Sequence, residues 1–320
     1  MRALITGISG FVGSHLAEHL LALGEWSVCG TVYGDDRNIT HLRDMLTLYK
    51  GELSSLERVR NIIKDSGPDA VFHLAAQPIP SLSRKDPWGT LENNIRLQLN
   101  VLEAVAQIAP RAVVLVIGSS EEYGQVLPDE LPVREDAPLR PTSAYAVSKI
   151  AQDYLGLQYY LSHNVQVIRM RPFNHIGPRQ RRGFVAPDFA SQVAEIEAGV
   201  RAPVMLVGQL DVARDFSDVR DIVRGYDLAA QRGAPGEVYN IGACEAHTVR
   251  ELLDTLLALS TIEIEVRQDP ERMRPVDTPL IVGDCAKFRA ATGWEPVIPF
   301  KQTVQDVLDD WRHQVKARKT

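Results

Sequence analysis

Cysteine is scarce in this chain. Three are present among 320 residues, Cys29, Cys244 and Cys285, an odd number at wide spacing. That pattern makes neither a disulfide framework nor a zinc site, and no metal is expected. Long apolar runs are missing too: none approaches the roughly 20 residues a membrane-spanning helix needs. Positive charge is not in excess. Lys+Arg total 35 against 41 Asp+Glu, a formal net charge of -6, which argues against a general nucleic-acid binder. Internal repeats and low-complexity segments are also lacking. The N-terminus reads at once as a strand, which leaves no room for a signal peptide, and a reducing cytoplasm is the expected location. What remains is ordinary for a soluble globular protein, with 45% hydrophobic and 24% charged residues. The length suits one large domain or two closely joined ones.

Two local patterns carry chemistry. In Tyr145-Ala-Val-Ser-Lys149 a phenol and an ammonium are four residues apart, so on a helix they share a face. An ammonium close to a phenol favours the phenolate and lowers its pKa. Tyr145 is therefore expected to act as an acid/base in a hydroxyl–carbonyl interconversion. At the start of the chain, Arg2–Thr6 reads as a buried strand and Ser14–Leu23 as an amphipathic helix. Between them lies Gly7-Ile-Ser-Gly10-Phe11-Val12-Gly13. A strand, a glycine turn and a helix N-terminus make a diphosphate site. The first glycine permits the turn, the second lets the backbone approach phosphates, and the third lets helix and strand pack closely. The spacing is Gly-x-x-Gly-x-x-Gly, not the commoner Gly-x-Gly-x-x-Gly.

Strands alternate with helices through the first half. Strands are expected at Trp26–Val32, Leu46–Lys50, Ala70–Ala75, Ala112–Gly118 and Val165–Arg171. Helices are expected at Leu53–Ser66, Leu91–Ile108 and Ala144–Leu161. Continuous β-branched runs between helices imply a parallel sheet covered on both faces, a doubly wound α/β fold of the Rossmann type. After Arg171 the rhythm changes. Pro172, Pro178 and Pro187, with Arg179, Arg181 and Arg182, mark a long loop before a helix at Phe189–Ala198. Further elements are expected at Val204–Val207 (strand), Asp218–Gln231 (helix), Glu237–Ile241 (strand), Thr248–Leu259 (helix), Ile262–Val266 (strand) and Gln302–Val315 (helix). Residues 1–173 and 209–242 are expected to form the dinucleotide-binding domain. Residues 174–208 and 243–320 would form a smaller α/β substrate lobe.

Taken together, the glycine fingerprint and Tyr145/Lys149 resemble the extended short-chain dehydrogenase/reductase superfamily, nearly end to end. Leu74, Ala75 and Ala76, after His73, match the strand end that passes the cofactor. Asn94 matches a family asparagine on the next helix. Ser119, in Gly118-Ser-Ser-Glu-Glu-Tyr-Gly124, matches the catalytic serine or threonine. Arg171-Pro-Phe-Asn174 matches the motif whose asparagine faces the sugar nucleotide. Arg214 and Arg274 match arginines that hold the substrate diphosphate, and Gly293-Trp-x-Pro296 is a C-terminal signature of the same group. The resemblance implies that Tyr145 exchanges a proton with a sugar hydroxyl, that Lys149 bonds the nicotinamide ribose, and that Ser119 bonds the reacting oxygen. Ser120, Glu121, Asn174, Arg179, Arg214 and Arg274 would contact the substrate, with arginine's planar fork suited to phosphate oxygens. A homodimer through the helices carrying Asn94 and Tyr145 is also implied.

Within the superfamily the similarity is to the GDP-mannose branch. It implies NAD(P)H-dependent reduction of the C4 ketone of GDP-4-keto-6-deoxy-D-mannose to GDP-D-rhamnose. The competing readings are 4,6-dehydration of GDP-mannose, or the reaction of another nucleotide-sugar epimerase or dehydratase. Glu121 sits where the dehydratases carry the base that removes the C5 proton, whereas a reductase needs only hydride and a proton from Tyr145. The cofactor stays open between NADP and NAD. The second strand ends at Val32-Tyr33-Gly34, with neither a carboxylate for a ribose hydroxyl nor an arginine for a 2′-phosphate. Asp35, Asp36 and Arg37 lie just beyond.

Overall fold

The computed structural model describes residues 1–78, 80–273 and 278–318. In chain order its strands are β1 (Arg2–Thr6), β2 (Ser27–Val32), β3 (Thr47–Lys50), β4 (Ala70–His73), β5 (Val113–Ile117), β6 (Gln166–Pro172) and β7 (Asn174–Ile176). There follow β8 (Val204–Val207), β9 (Ala213–Asp218), β10 (Val238–Ile241), β11 (Ala246–Thr248), β12 (Glu265–Gln268) and β13 (Leu280–Ile281). The helices are α1 (Phe11–Leu23), α2 (Leu56–Ser66), α3 (Pro80–Lys85), α4 (Pro87–Ile108), α5 (Ala144–His163), α6 (Val185–Glu197), α7 (Val219–Arg232), α8 (Val249–Leu259), α9 (Ala286–Thr292) and α10 (Phe300–Ala317).

The larger sheet runs β10-β6-β5-β4-β1-β2-β3, and every pair is parallel. Its continuous apolar strands follow from burial on both faces. In β1, Ala3 and Ile5 point into one core with Leu16, Leu20, Ile222 and Tyr226, while Leu4 points into the other with Val59, Ile63, Val101 and Val105. Each such large side chain contributes roughly 1.5–3 kcal/mol on burial. Strand order reverses between β1 and β4, so a crevice opens beyond their carboxyl ends.

The smaller lobe is built on β7, β9, β11 and β13, a β8–β12 pair, and helices α6, α8 and α10. Its core contains Phe189, Val193, Leu252, Leu256, Leu308 and Trp311. Two segments differ from the expected division. Residues 213–218, expected with the first domain, form β9 and pair with β7, β11 and β13. Phe216 buries in the smaller lobe's core. Conversely, α9, expected with the substrate lobe, joins the larger one. Phe288 and Trp294 pack with Tyr226, and the Trp294 indole N–H donates to the Asp221 carbonyl at 2.9 Å. The strand expected at 262–266 is shifted to β12, in register with β8.

Candidate active site

A cleft of about 1870 Å³ lies between the lobes. Gly7, Gly10, Phe11, Val12 and Gly13 line one side of it, with Leu74, Ala75 and Ala76 from the end of β4. Gly7 has φ +70, a conformation open to glycine. A Cβ on Gly13 would meet the Gly7 carbonyl oxygen at 2.4 Å, so only glycine lets α1 start this close to the turn. The amide of Gly10 closes the turn on Gly7 O at 2.9 Å. The first amides of α1 point outward from this cradle, as at any helix N-terminus. Backbone donors and a bare backbone surface fit a dinucleotide's diphosphate.

Across the cleft, α5 begins at Ser143, whose hydroxyl accepts the Ala146 amide at 3.0 Å. That cap sets Tyr145 in the first turn and Lys149 one turn later. The Lys149 ammonium is buried, 5.9 Å from the Tyr145 ring centre, and donates to the Ile117 carbonyl at 2.8 Å. Ser119 follows β5 and caps a short turn, its hydroxyl accepting the Glu121 amide at 3.2 Å. The same hydroxyl lies near enough to the Tyr145 phenol to lower its pKa. Ser119, Ser120, Glu121, Tyr145 and Lys149 all line the cleft.

The electrostatics differ from the expectation for Tyr145. Burial, then the charge of Glu121, push the phenol well above its ordinary pKa, and the Ser119 hydroxyl opposes them only partly. The Lys149 ammonium gives its hydrogen bond to the Ile117 carbonyl and none to the phenol. Burial lowers Lys149 itself to about 8. His73, given no chemistry in the sequence reading, is buried with Nδ1 2.9 Å from the Thr6 hydroxyl. Burial, then Lys149, bring it down to about 3.

The remaining candidate residues differ in where the structure places them. Asn174 and Arg214 line the cleft; one Arg214 terminal nitrogen donates to the carbonyls of Ala213 and Thr278, each at 2.8 Å. Asn94 is fully buried, accepting the Gln77 amide at 2.7 Å and donating to the Ser148 hydroxyl at 2.9 Å, so it braces α5 against the β4 loop. Arg179 lines the cleft as well, with its guanidinium engaged inside the protein. Its guanidinium grips both oxygens of Glu18 at 2.6 Å and meets His15 Nδ1 at 2.6 Å. Arg274 lies outside the described residues.

Sequence reasoning missed two neighbours of the site. Tyr226 on α7 lines the cleft beside Tyr145. Beneath Ser119, a buried network joins Glu122, Arg171, Asp153 and Arg169. One signal was available. Arg169 and Arg171 are two residues apart on an otherwise apolar strand, hence on one face, and two buried guanidiniums require acidic partners.

A glycine cradle at a sheet's switch point, facing a Ser–Tyr–Lys set, defines an NAD(P)-dependent oxidoreductase of the extended short-chain dehydrogenase/reductase class that handles nucleotide sugars. The chain belongs, within that class, to the GDP-mannose 4,6 dehydratase family, whose sequence model matches residues 4–307. It is 36% identical over 316 residues to a GDP-6-deoxy-D-mannose reductase from Pseudomonas aeruginosa, covering 98% of both chains. It is 29% identical over 337 residues to GDP-mannose 4,6 dehydratase 1 of Arabidopsis thaliana, covering 99% of this chain and 91% of that one. The fold superimposes on the solved structure of RMD from Pseudomonas aeruginosa complexed with NADPH. The TM-score is 0.86 at 34% identity, over 98% of this chain and 99% of that one. Among the described residues, no helix is long and apolar enough to cross a membrane.

Proposed function

We propose that the protein reduces the C4 ketone of GDP-4-keto-6-deoxy-D-mannose to GDP-D-rhamnose, using NADPH or NADH. The observation that carries this reading is the 36% identity over 316 residues to a GDP-6-deoxy-D-mannose reductase, against 29% over 337 residues to a GDP-mannose 4,6 dehydratase, and Tyr145 suits it. Its pKa is raised, so at neutral pH it holds the proton that the ketone oxygen must receive. In the proposed reaction the dinucleotide supplies the hydride to C4. Tyr145 donates the proton to the oxygen, Ser119 holds that oxygen by hydrogen bond, and Lys149 adds positive charge nearby. Asn174 and Arg214 would bind the sugar and diphosphate, with Arg274 carried over from the family motif. The exposed end of β2, with Tyr33 72% accessible, suits a cofactor that exchanges at every turnover. Arg37 there is paired with Asp35, so the choice of dinucleotide turns on that pair. A homodimer through α4 and α5 belongs to the same reading, supported by exposed Leu99, Val147, Tyr154 and Leu161 on those helices.

The dehydratase is the second reading, and Glu121 is the observation that favours it, because its charge acts directly on Tyr145. Incubating purified protein with GDP-mannose, and separately with the 4-keto-6-deoxy product plus NADPH or NADH, separates the two. Oxidation of reduced cofactor by the keto sugar is expected. Turnover of GDP-mannose without added reductant would replace the reductase by the dehydratase.

A further inference from the structure

The turn that presents Ser119 is fastened from below by a buried carboxyl group. Glu122 is fully buried, and its Oε1 accepts the Ser119 amide at 2.8 Å. Room for this exists because residue 118 is glycine: a Cβ there would stand 2.1 Å from Glu122 Oε1. The second oxygen, Oε2, lies 3.0 Å from Arg171 Nε. That nitrogen carries a single hydrogen, which it donates to Asp153 Oδ2 at 2.8 Å. Oε2 is accordingly left without a donor although it is buried. Because Oε2 and Asp153 Oδ2 crowd the same Nε, at 3.0 and 2.8 Å, the two carboxyl groups adjoin each other there. Two adjoining carboxylates with one N–H between them cannot both ionise, and a proton on Oε2 would give the orphaned oxygen an acceptor in Asp153.

Asp153 is the better anion of the two. Its Oδ1 receives Arg169 at 2.7 Å, and its Oδ2 also receives the Arg171 terminal nitrogen at 2.7 Å. Burial first, and Asp153 second, raise Glu122 well above the ordinary carboxyl range, although Arg171 opposes them. The other groups nearby are Lys149 and Tyr145 on α5, Tyr123, which accepts from Arg171 at 3.1 Å, and Glu121 on the cleft side. None of them offers Oε2 a hydrogen.

We propose that Glu122 is a neutral carboxylic acid in the folded protein, donating Oε2–H to Asp153 and accepting the Ser119 amide, and that it thereby positions Ser119 for the reaction. An orphaned buried acceptor becomes a satisfied donor, and the catalytic turn gains a fixed floor. The inference rests on Ser119 belonging to the site and is independent of which sugar nucleotide is turned over.

Infrared difference spectroscopy of wild type against E122Q at pH 8 tests the protonation without any turnover. The other carboxyl group raised by burial, Asp215, titrates at about 6 and is ionised there. The expected spectrum contains a protonated-carboxyl carbonyl band that shifts in heavy water and vanishes in E122Q. Kinetically, glutamine offers the same acceptor and donor, so E122Q should recover kcat to within about threefold of wild type with an unmoved pH profile. E122L should lower kcat on the order of tenfold with KM little changed, because Ser119 loses its anchor. Absence of the band, or a displaced basic limb in E122Q, would mean that a charge had been removed and would overturn the proposal. Should E122L fail to fold, the spectrum and the E122Q profile still decide.

Discussion

The Lys149 ammonium stands 5.9 Å from the centre of the Tyr145 ring, and its hydrogen bond goes to the Ile117 carbonyl. The pair therefore shares a helix face without sharing a proton. Ser119 is the neighbour that lowers the phenol's pKa. Replacing Tyr145 by phenylalanine removes the proton donor and leaves the pocket's shape. Y145F is expected to keep its affinity for the sugar nucleotide and to lose roughly 10²–10⁴ in kcat, the usual yield of a positioned acid. Near-normal turnover would remove Tyr145 from the mechanism.

Lys149 is expected to set the basic limit of activity. Its pKa is lowered to about 8 because burial disfavours the ammonium. The charge is thus present below pH 8 and lost above it. The rate profile for kcat should fall above about pH 8. In K149R, whose guanidinium stays protonated throughout, that limb should vanish even if the plateau is lower. A basic limb that survives unchanged in K149R would belong to another group.

Glu121 separates the two candidate reactions. A reductase uses its carboxylate at most to hold the sugar, whereas elimination needs it as a base. E121Q should leave ketone reduction within about tenfold of wild type, because binding is perturbed and no proton transfer is lost. It should also make Tyr145 easier to ionise, since the Glu121 charge is the second cause of that residue's raised pKa. A loss approaching that of Y145F would give Glu121 a chemical role and favour dehydration.

These residues were legible in the sequence for one reason. The glycines, Ser119, Tyr145 and Lys149 lie at strand ends and helix starts, where local spacing fixes their direction. The larger sheet was legible for a related reason, since its strands are apolar on both faces and read as uninterrupted runs. Strand β9 was not. Its sequence, Ala-Arg-Asp-Phe-Ser-Asp, is mostly polar, and it becomes a strand only because three distant segments pair with it and four donors converge on Asp215. The partners of Arg179 were not legible for a similar reason. Sequence places an arginine near the cleft, but only the folded chain brings Glu18 and His15 beneath its guanidinium.

Arg179 and Glu18 should consequently behave as one unit. Arg179 adopts φ +70, unusual for a residue with a side chain, and strain of this kind costs on the order of 1–3 kcal/mol. It is held there by Glu18 on α1 and by its own amide, which donates to Asp310 on α10 at 2.8 Å. The residue thus ties the two lobes together. R179A and E18Q should each lower thermal stability and raise the KM of both cofactor and sugar nucleotide. The double variant should be little worse than either single one, giving a coupling energy of about 0.5–3 kcal/mol. If R179A raised only the KM for the sugar nucleotide, and E18Q did nothing, Arg179 would be a substrate ligand instead.

His73 makes the protein sensitive to acid through a group remote from solvent. Its folded pKa is about 3, against 6.5 for an unperturbed histidine, because burial and then Lys149 disfavour the imidazolium. Between those values the unfolded chain binds a proton that the folded chain refuses. The stability contributed by neutral His73 is therefore fully present above pH 6.5 and is lost as pH falls towards 3. The slope is about 1.4 kcal/mol per pH unit for one such group. Other groups titrate in the same range. His15, lowered to about 4, adds to the loss, while Asp215, raised to about 6, acts in the opposite sense. The total slope thus does not report on His73, but a difference does. H73N keeps a polar side chain beside the Thr6 hydroxyl and carries no titrating group. Denaturant unfolding should find H73N less stable than wild type at pH 7.5, with the gap closing by roughly that slope as pH falls below 6.5. A gap constant from pH 7.5 to 5 would show that His73 titrates alike in the folded and unfolded chain.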